Sequence, residues 1–331
     1  MIEMLLSVVI PTKNRYSYLK ILLESIADSK SNEYEIIVAD NTKDNTEFLC
    51  FLEHLNTDKI KYYHNTDPMS MSENFNFGVE NASGEYVIIL GDDDGILIDE
   101  TVEFLNECYH QGIEAVQTTP VVFEWPDNSH AVWGAIGGSM YMDRKPVFVK
   151  KINVEKQLNK QIKYAFGYGL GNLPRVYHGF ILNRCLKELK EKCGTSFPGP
   201  SPDMANAVGL CTVITKAIFT NKYLVVSGHS NKSAGGMGGR KEHVAEISDV
   251  EWLPKETKDL WSMKIPFYWT GPTIYSESAR LALIRTNSNL IEKINYNYLY
   301  AILNVYERKC KHQTKLTIKH NGYDAVSFKL D

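Results

Sequence analysis

Four apolar runs in the N-terminal third constrain this chain most. They are Leu6 to Ile10, Glu35 to Asp40, Lys59 to His64 and Tyr86 to Leu90, "LSVVI", "EIIVAD", "KIKYYH" and "YVIIL". The runs that are apolar on both faces need cover on both sides, which predicts parallel strands layered between helices. Between the first two, Tyr18 to Ile26 puts Leu19, Leu22, Leu23 and Ile26 on one helical face. A second helix is predicted over Ser72 to Glu80, with Asn81-Ala-Ser-Gly84 as its stop. The β-α-β rhythm predicts an α/β fold, doubly wound, with ligands beyond the carboxyl ends of the strands.

Three of those strand ends carry polar clusters: Pro11-Thr-Lys-Asn-Arg15 after the first, Asp40-Asn-Thr42 after the second, and Gly91-Asp-Asp-Asp94 after the fourth. Adjacent carboxylates repel one another, and a buried strand that runs into three of them needs a cation there, most often a hard metal with oxygen ligands. A solvated turn bent at Gly95 is the plainer reading of the triplet alone. Convergence of all three clusters on one sheet edge favours a nucleotide pocket.

Composition narrows the alternatives. The chain has 331 residues, 44% hydrophobic, with a formal net charge of −4, so nucleic acid is not an expected partner. Its six cysteines form no C-x-x-C pair, which fits a reducing, cytoplasmic setting without zinc knots or a disulfide framework. Met1 to Ile10 lacks the basic leader of a targeting segment, and no apolar run approaches the roughly 20 residues of a membrane span. Three regions are expected: a nucleotide-binding half over 1–115, a mixed half over 116–275, and a helical, basic extension over 276–331. In the middle region Ala115 to Trp125 reads as one strand interrupted by Pro120, and Ser196 to Leu210 as a proline-broken loop feeding a helix. A late strand runs into a glycine-rich loop over Leu224 to Gly239.

"SVVIPTKNR", "EIIVADNTKDNT", "SENFNFGVENASGEYVIIL" and "GDDD", in that order and spacing, resemble glycosyltransferase family 2, the inverting nucleotide-sugar enzymes of GT-A fold. "VYHGFI", "SPDM" and "GHSNKS" resemble the bacterial members that build surface polysaccharide such as O-antigen or capsule. The resemblance implies a Rossmann-like, mostly parallel sheet flanked by helices. It also implies a nucleotide-diphosphate sugar donor, UDP-linked, and a saccharide or lipid-linked acceptor, with Mn²⁺ or Mg²⁺ as cofactor and peripheral contact with the inner membrane leaflet. Pro11, Thr12, Asn14 and Arg15 would hold base and diphosphate, Asp40 the uracil, and Asn74 the base and ribose. Gly91 falls where the family carries its first acid. Asp92 is then assigned to ribose and Asp94 to the metal; Asp93 is left open between the two, and it could grip the metal in place of Asp94.

Transfer from such a donor requires the leaving diphosphate's charge to be neutralised and the acceptor hydroxyl to lose a proton. A carboxylate-held divalent ion does the first, and one carboxylate does the second, with no enzyme nucleophile. Asp203 in "SPDM" is the candidate base; an aspartate there can equally cap a helix. His229 is a candidate metal ligand or a loop histidine, His178 a sugar contact or a structural histidine, and Lys232 a phosphate contact. The basic tail from Arg308 to Lys319 reads as a solvated helix end or as contact with an anionic leaflet. A nucleotidyltransferase would show a glycine-rich loop after the first strand, and a dinucleotide-binding dehydrogenase G-x-G-x-x-G; "PTKNR" has neither. A nucleotide-sugar-binding protein without a base is the non-catalytic alternative.

Overall fold

The computed structural model describes residues 4–55, 57–128, 136–233 and 244–322. The described strands are β1 (Leu6–Thr12), β2 (Tyr34–Asp40), β3 (Ile60–His64), β4 (Tyr86–Ile89), β5 (Gly95–Ile96), β6 (Ala115–Thr118), β7 (Val121–Glu124), β8 (Met140–Tyr141), β9 (Val149–Ile152), β10 (Gly179–Leu182), β11 (Ala217–Thr220) and β12 (Val225–His229). The main sheet runs β3-β2-β1-β4-β10-β6-β11-β9. Its first four strands are parallel, while β10 enters antiparallel between β4 and β6. The runs at β2 and β4 are buried along their whole length, whereas the more polar β3 took the edge.

The helix Tyr16–Ala27 buries Leu19, Leu22, Leu23 and Ile26, the face its spacing predicts. The helix Met71–Glu80 begins at a capping box in which Ser70 and Glu73 bond each other's backbone N–H. Pro120 does more than interrupt a strand: β6 lies in the main sheet and β7 in a second one, ordered β5-β12-β7-β8. That small sheet folds β12 back onto β5, directly after the acidic triplet.

Two cores support these layers. One fills the main sheet and its helices. The other is helical, joining Pro202–Leu210 to Gly271–Arg285, Tyr296–Tyr306 and the intervening loops. The helix Gly271–Arg285 starts ahead of the expected boundary at 276 and packs closely on Pro202–Leu210; Ser278 Oγ accepts a hydrogen bond from the Ser201 N–H at 2.8 Å. The C-terminal helices therefore form part of the middle region's core.

Candidate functional site

Parallel pairing puts the ends of β1, β2 and β4 on one edge, with Thr12 in register with Asp40. The triplet beyond β4 is buried: Asp92, Asp93 and Asp94 are 3%, 5% and 6% exposed, so a solvated turn is not what the chain forms. The Arg15 guanidinium supplies cationic charge to two of them. Its Nε lies 3.0 Å from Asp92 Oδ1, at an angle that leaves the attraction Coulombic, and its terminal nitrogen lies 2.9 Å from Asp93 Oδ2. Thr12 Oγ1 donates to Asp92 Oδ2 at 2.7 Å. Burial pushes the Asp92 carboxyl up to about 7, against the pull of Arg15.

Asp94 is held by the protein on both oxygens. Oδ1 accepts from the Gly228 N–H at 2.8 Å; Oδ2 accepts from the Gly91 N–H at 2.6 Å and lies 2.6 Å from His178 Nε2. His178 takes this position with a left-handed backbone, φ 57°, a strained conformation for a non-glycine residue. Both Asp94 oxygens are thus engaged by the protein, and His178 bonds Asp94, as the structural alternative for that histidine expects. Gly228 is obligatory, since a Cβ there would lie 1.6 Å from the Asp93 carbonyl oxygen.

Asp93 differs. Ser230 Oγ and N–H donate to its Oδ2 at 2.6 and 3.1 Å, while Oδ1 has no partner among the described residues. A methyl at Gly91 would sit 3.0 Å from that oxygen, so the missing side chain keeps its flank open. His229 Nδ1 is fixed by Glu124 Oε1 at 2.8 Å, leaving Nε2 without a protein partner among the described residues. No three His, Cys, Asp or Glu side chains converge as a metal-holding group among the described residues. One carboxylate oxygen and one imidazole nitrogen still suit a divalent ion that completes its shell with phosphate oxygens and water.

Asp40 is fully buried, accepting from Tyr62 Oη at 2.7 Å, Tyr16 Oη at 2.5 Å and the Thr42 N–H at 2.8 Å. With both oxygens engaged, it braces Thr42, whose Oγ1 accepts from the Asn14 N–H at 2.8 Å. Asn14 turns the chain there in the left-handed region, φ 60°, next to the half-buried Pro11. Asn74 anchors Nδ2 on the Ala39 carbonyl at 3.2 Å and leaves a buried Oδ1 without a partner among the described residues. Lys232 lies on the exposed turn after Ser230. The glycine-rich stretch beyond Ser233, along with Arg240 and Trp133, falls outside the described residues.

Asp203 sits in the first turn of Pro202–Leu210, where Ser201 holds the cap position. Its carboxylate makes no hydrogen bond among the described residues. Burial pushes it up to about 6, opposed by His178 and Arg175 and reinforced by Asp94. Arg175 is tied to the Gly171 and Leu173 carbonyls at 3.1 and 3.3 Å, and burial lowers its own proton affinity. The sequence reading missed Arg175, Ser230, Tyr16, Tyr62 and Glu124. The position of Ser230 directly after a strand-ending Gly-His was the available signal; the others are contacts between distant segments.

Known proteins resemble this chain in sequence and in fold. Residues 7–166 match Glycosyl transferase family 2. A Campylobacter jejuni protein described as GalNAc(5)-diNAcBac-PP-undecaprenol beta-1,3-glucosyltransferase is 38% identical over 109 residues, 31% of this chain and 35% of that one. The match thus spans about a third of the relative's length. The fold is shared with the S. aureus TarS 1-349 structure in complex with UDP-GlcNAc, at TM-score 0.56 and 15% identity over 99% of this chain and 96% of that one. It is also shared with GalNAc-T7 bound to UDP, GalNAc and Mn²⁺, at TM-score 0.52 and 11% identity over 97% and 56% of the two chains. The GT-A expectation is borne out, and residues 7–166 are similar to glycosyl transferase family 2.

Proposed function

We propose that this chain transfers a sugar, with inversion, from a UDP-linked donor to a saccharide on a lipid carrier in bacterial surface-glycan synthesis. Asp203 carries the proposal. It is a carboxylate with no hydrogen-bond partner among the described residues, within electrostatic reach of Asp94 and His178, and its proton affinity is raised into the range a general base needs. It takes the acceptor hydroxyl's proton as that oxygen attacks the anomeric carbon and the diphosphate departs from the opposite face. The UDP-bound neighbours support the donor class, and the lipid-linked substrate in the curated relative's name supports the acceptor class.

Asn74 Oδ1 is the open polar atom for the base, and the Pro11 to Arg15 turn borders the diphosphate. Asp92 and Arg15 close the ribose side, and Lys232, exposed and unpaired among the described residues, offers a cation. Asp93 and His229 would hold Mn²⁺ or Mg²⁺, which when bound neutralises leaving-group charge. The test is Asp203→Asn. Transfer is expected to fall by about 10²–10⁴ while UDP still binds; parental turnover in that variant would reject the base and the reading with it.

A further inference from the structure

Thirteen residues, Arg308 to His320, hold Arg308, Lys309, Lys311, Lys315 and Lys319 and no acid, in a chain of net charge −4. All five basic side chains are exposed, and none is paired with a carboxylate among the described residues. The helix Lys311–His320 buries Thr314 and Ile318. At helical spacing its opposite face carries His312, Lys315, Leu316, Lys319 and His320. Leu316, at the middle of that face, is 55% exposed. A groove of about 460 Å³ joins Leu316 and His320 to Lys258, Met263 and Phe267. Met263 and Phe267 are 69% and 44% exposed.

Exposed apolar side chains beside lysines that are unpaired among the described residues match a bilayer interface, where the apolar groups meet the headgroup boundary and the ammonium groups meet anionic lipid. A protein interface fits less well, because such surfaces are depleted in lysine. We propose that this face, centred on Leu316, Met263 and Phe267, docks the protein on an anionic phospholipid bilayer. The role it would serve, delivery to a lipid-linked acceptor, rests on the function proposed above; the surface itself does not.

Co-sedimentation of the full chain with phosphatidylcholine vesicles, with and without phosphatidylglycerol, tests this. Binding is expected only with the anionic lipid, weakening as salt rises. Lys315→Glu with Lys319→Glu should cut partitioning by at least about fivefold per charge, the effect of one basic residue at such a surface. Leu316→Asp with Met263→Asp should weaken it as well. Thermal unfolding and hydrolysis of a soluble UDP-sugar should stay at parental values in these exposed-site variants, which separates failure of docking from failure of the transfer reading. No vesicle binding, equal binding to neutral vesicles, or variants that bind like the parent would overturn the proposal. So would loss of self-association in place of lipid binding.

Discussion

The acidic triplet and Asp203 lie within electrostatic reach of each other, yet they are rooted in different cores and held in opposite ways. The triplet follows β4 out of the sheet core, and its oxygens, save Asp93 Oδ1, are engaged by Thr12, Arg15, Ser230, His178, Tyr177 and two glycine N–H groups. Asp203 rises from a helix seated in the second core through Met204, Ala207 and Val208, and its carboxylate is unpartnered among the described residues. Satisfied carboxylates hold geometry without reorganising, while a half-buried, unpaired one can take a proton. Under the proposed function, the contrast gives holding to one core and chemistry to the other.

Asp93→Asn should break the comparison hardest if holding and chemistry are not separate. It weakens the Arg15 pair and removes the open anionic oxygen, so kcat/KM should fall by about 10²–10³ with a matching loss of UDP affinity, where Asp203→Asn spares binding. Isothermal titration with UDP and Mn²⁺ distinguishes the two, and equal UDP affinity in both variants would merge their roles. Gly228→Ala, which drives a methyl into the Asp93 carbonyl, should cost about 1–3 kcal/mol in urea unfolding and impair donor binding.

Arg175→Gln sharpens the chemical side. Burial raises the Asp203 carboxyl to about 6, and the charges of His178 and Arg175 oppose that rise. A base must be ionised, so the rate should rise with pH through about 6 in the parent. Without the cation the charged form is less favoured, and the ascending limb of the pH–rate profile moves to higher pH; an unmoved limb would remove Arg175 from this role. Lys190→Ala, which breaks an exposed pair with Glu80, should change stability by less than about 1 kcal/mol. A larger drop in urea unfolding would mean the surface couples to the site.

Legibility followed the same division. The strands around β1, the helix face Leu19-Leu22-Leu23-Ile26 and the strand-end clusters could be read because local periodicity and burial agree there. Asp203 was found through its motif, but the helix that seats it was not seen as continuous with the C-terminal core, because Ser278 meets Ser201 across a long stretch of chain. The division of labour within the triplet was likewise hidden. It depends on which oxygen meets Gly228, Ser230 or His178, and those residues arrive from β12 and from the segment just before β10.

By itself the sequence determined a parallel α/β half with acids and polar turns gathered on one edge, since alternation, apolar runs and strand direction are local properties that survive any packing. Only the tertiary structure decided that Asp94 is braced by His178, that Asp40 is enclosed by two tyrosines, and that Asp203 alone among these acids makes no hydrogen bond among the described residues. A carboxylate's role follows from its desolvation and its donors, and both are set by segments far away in the chain.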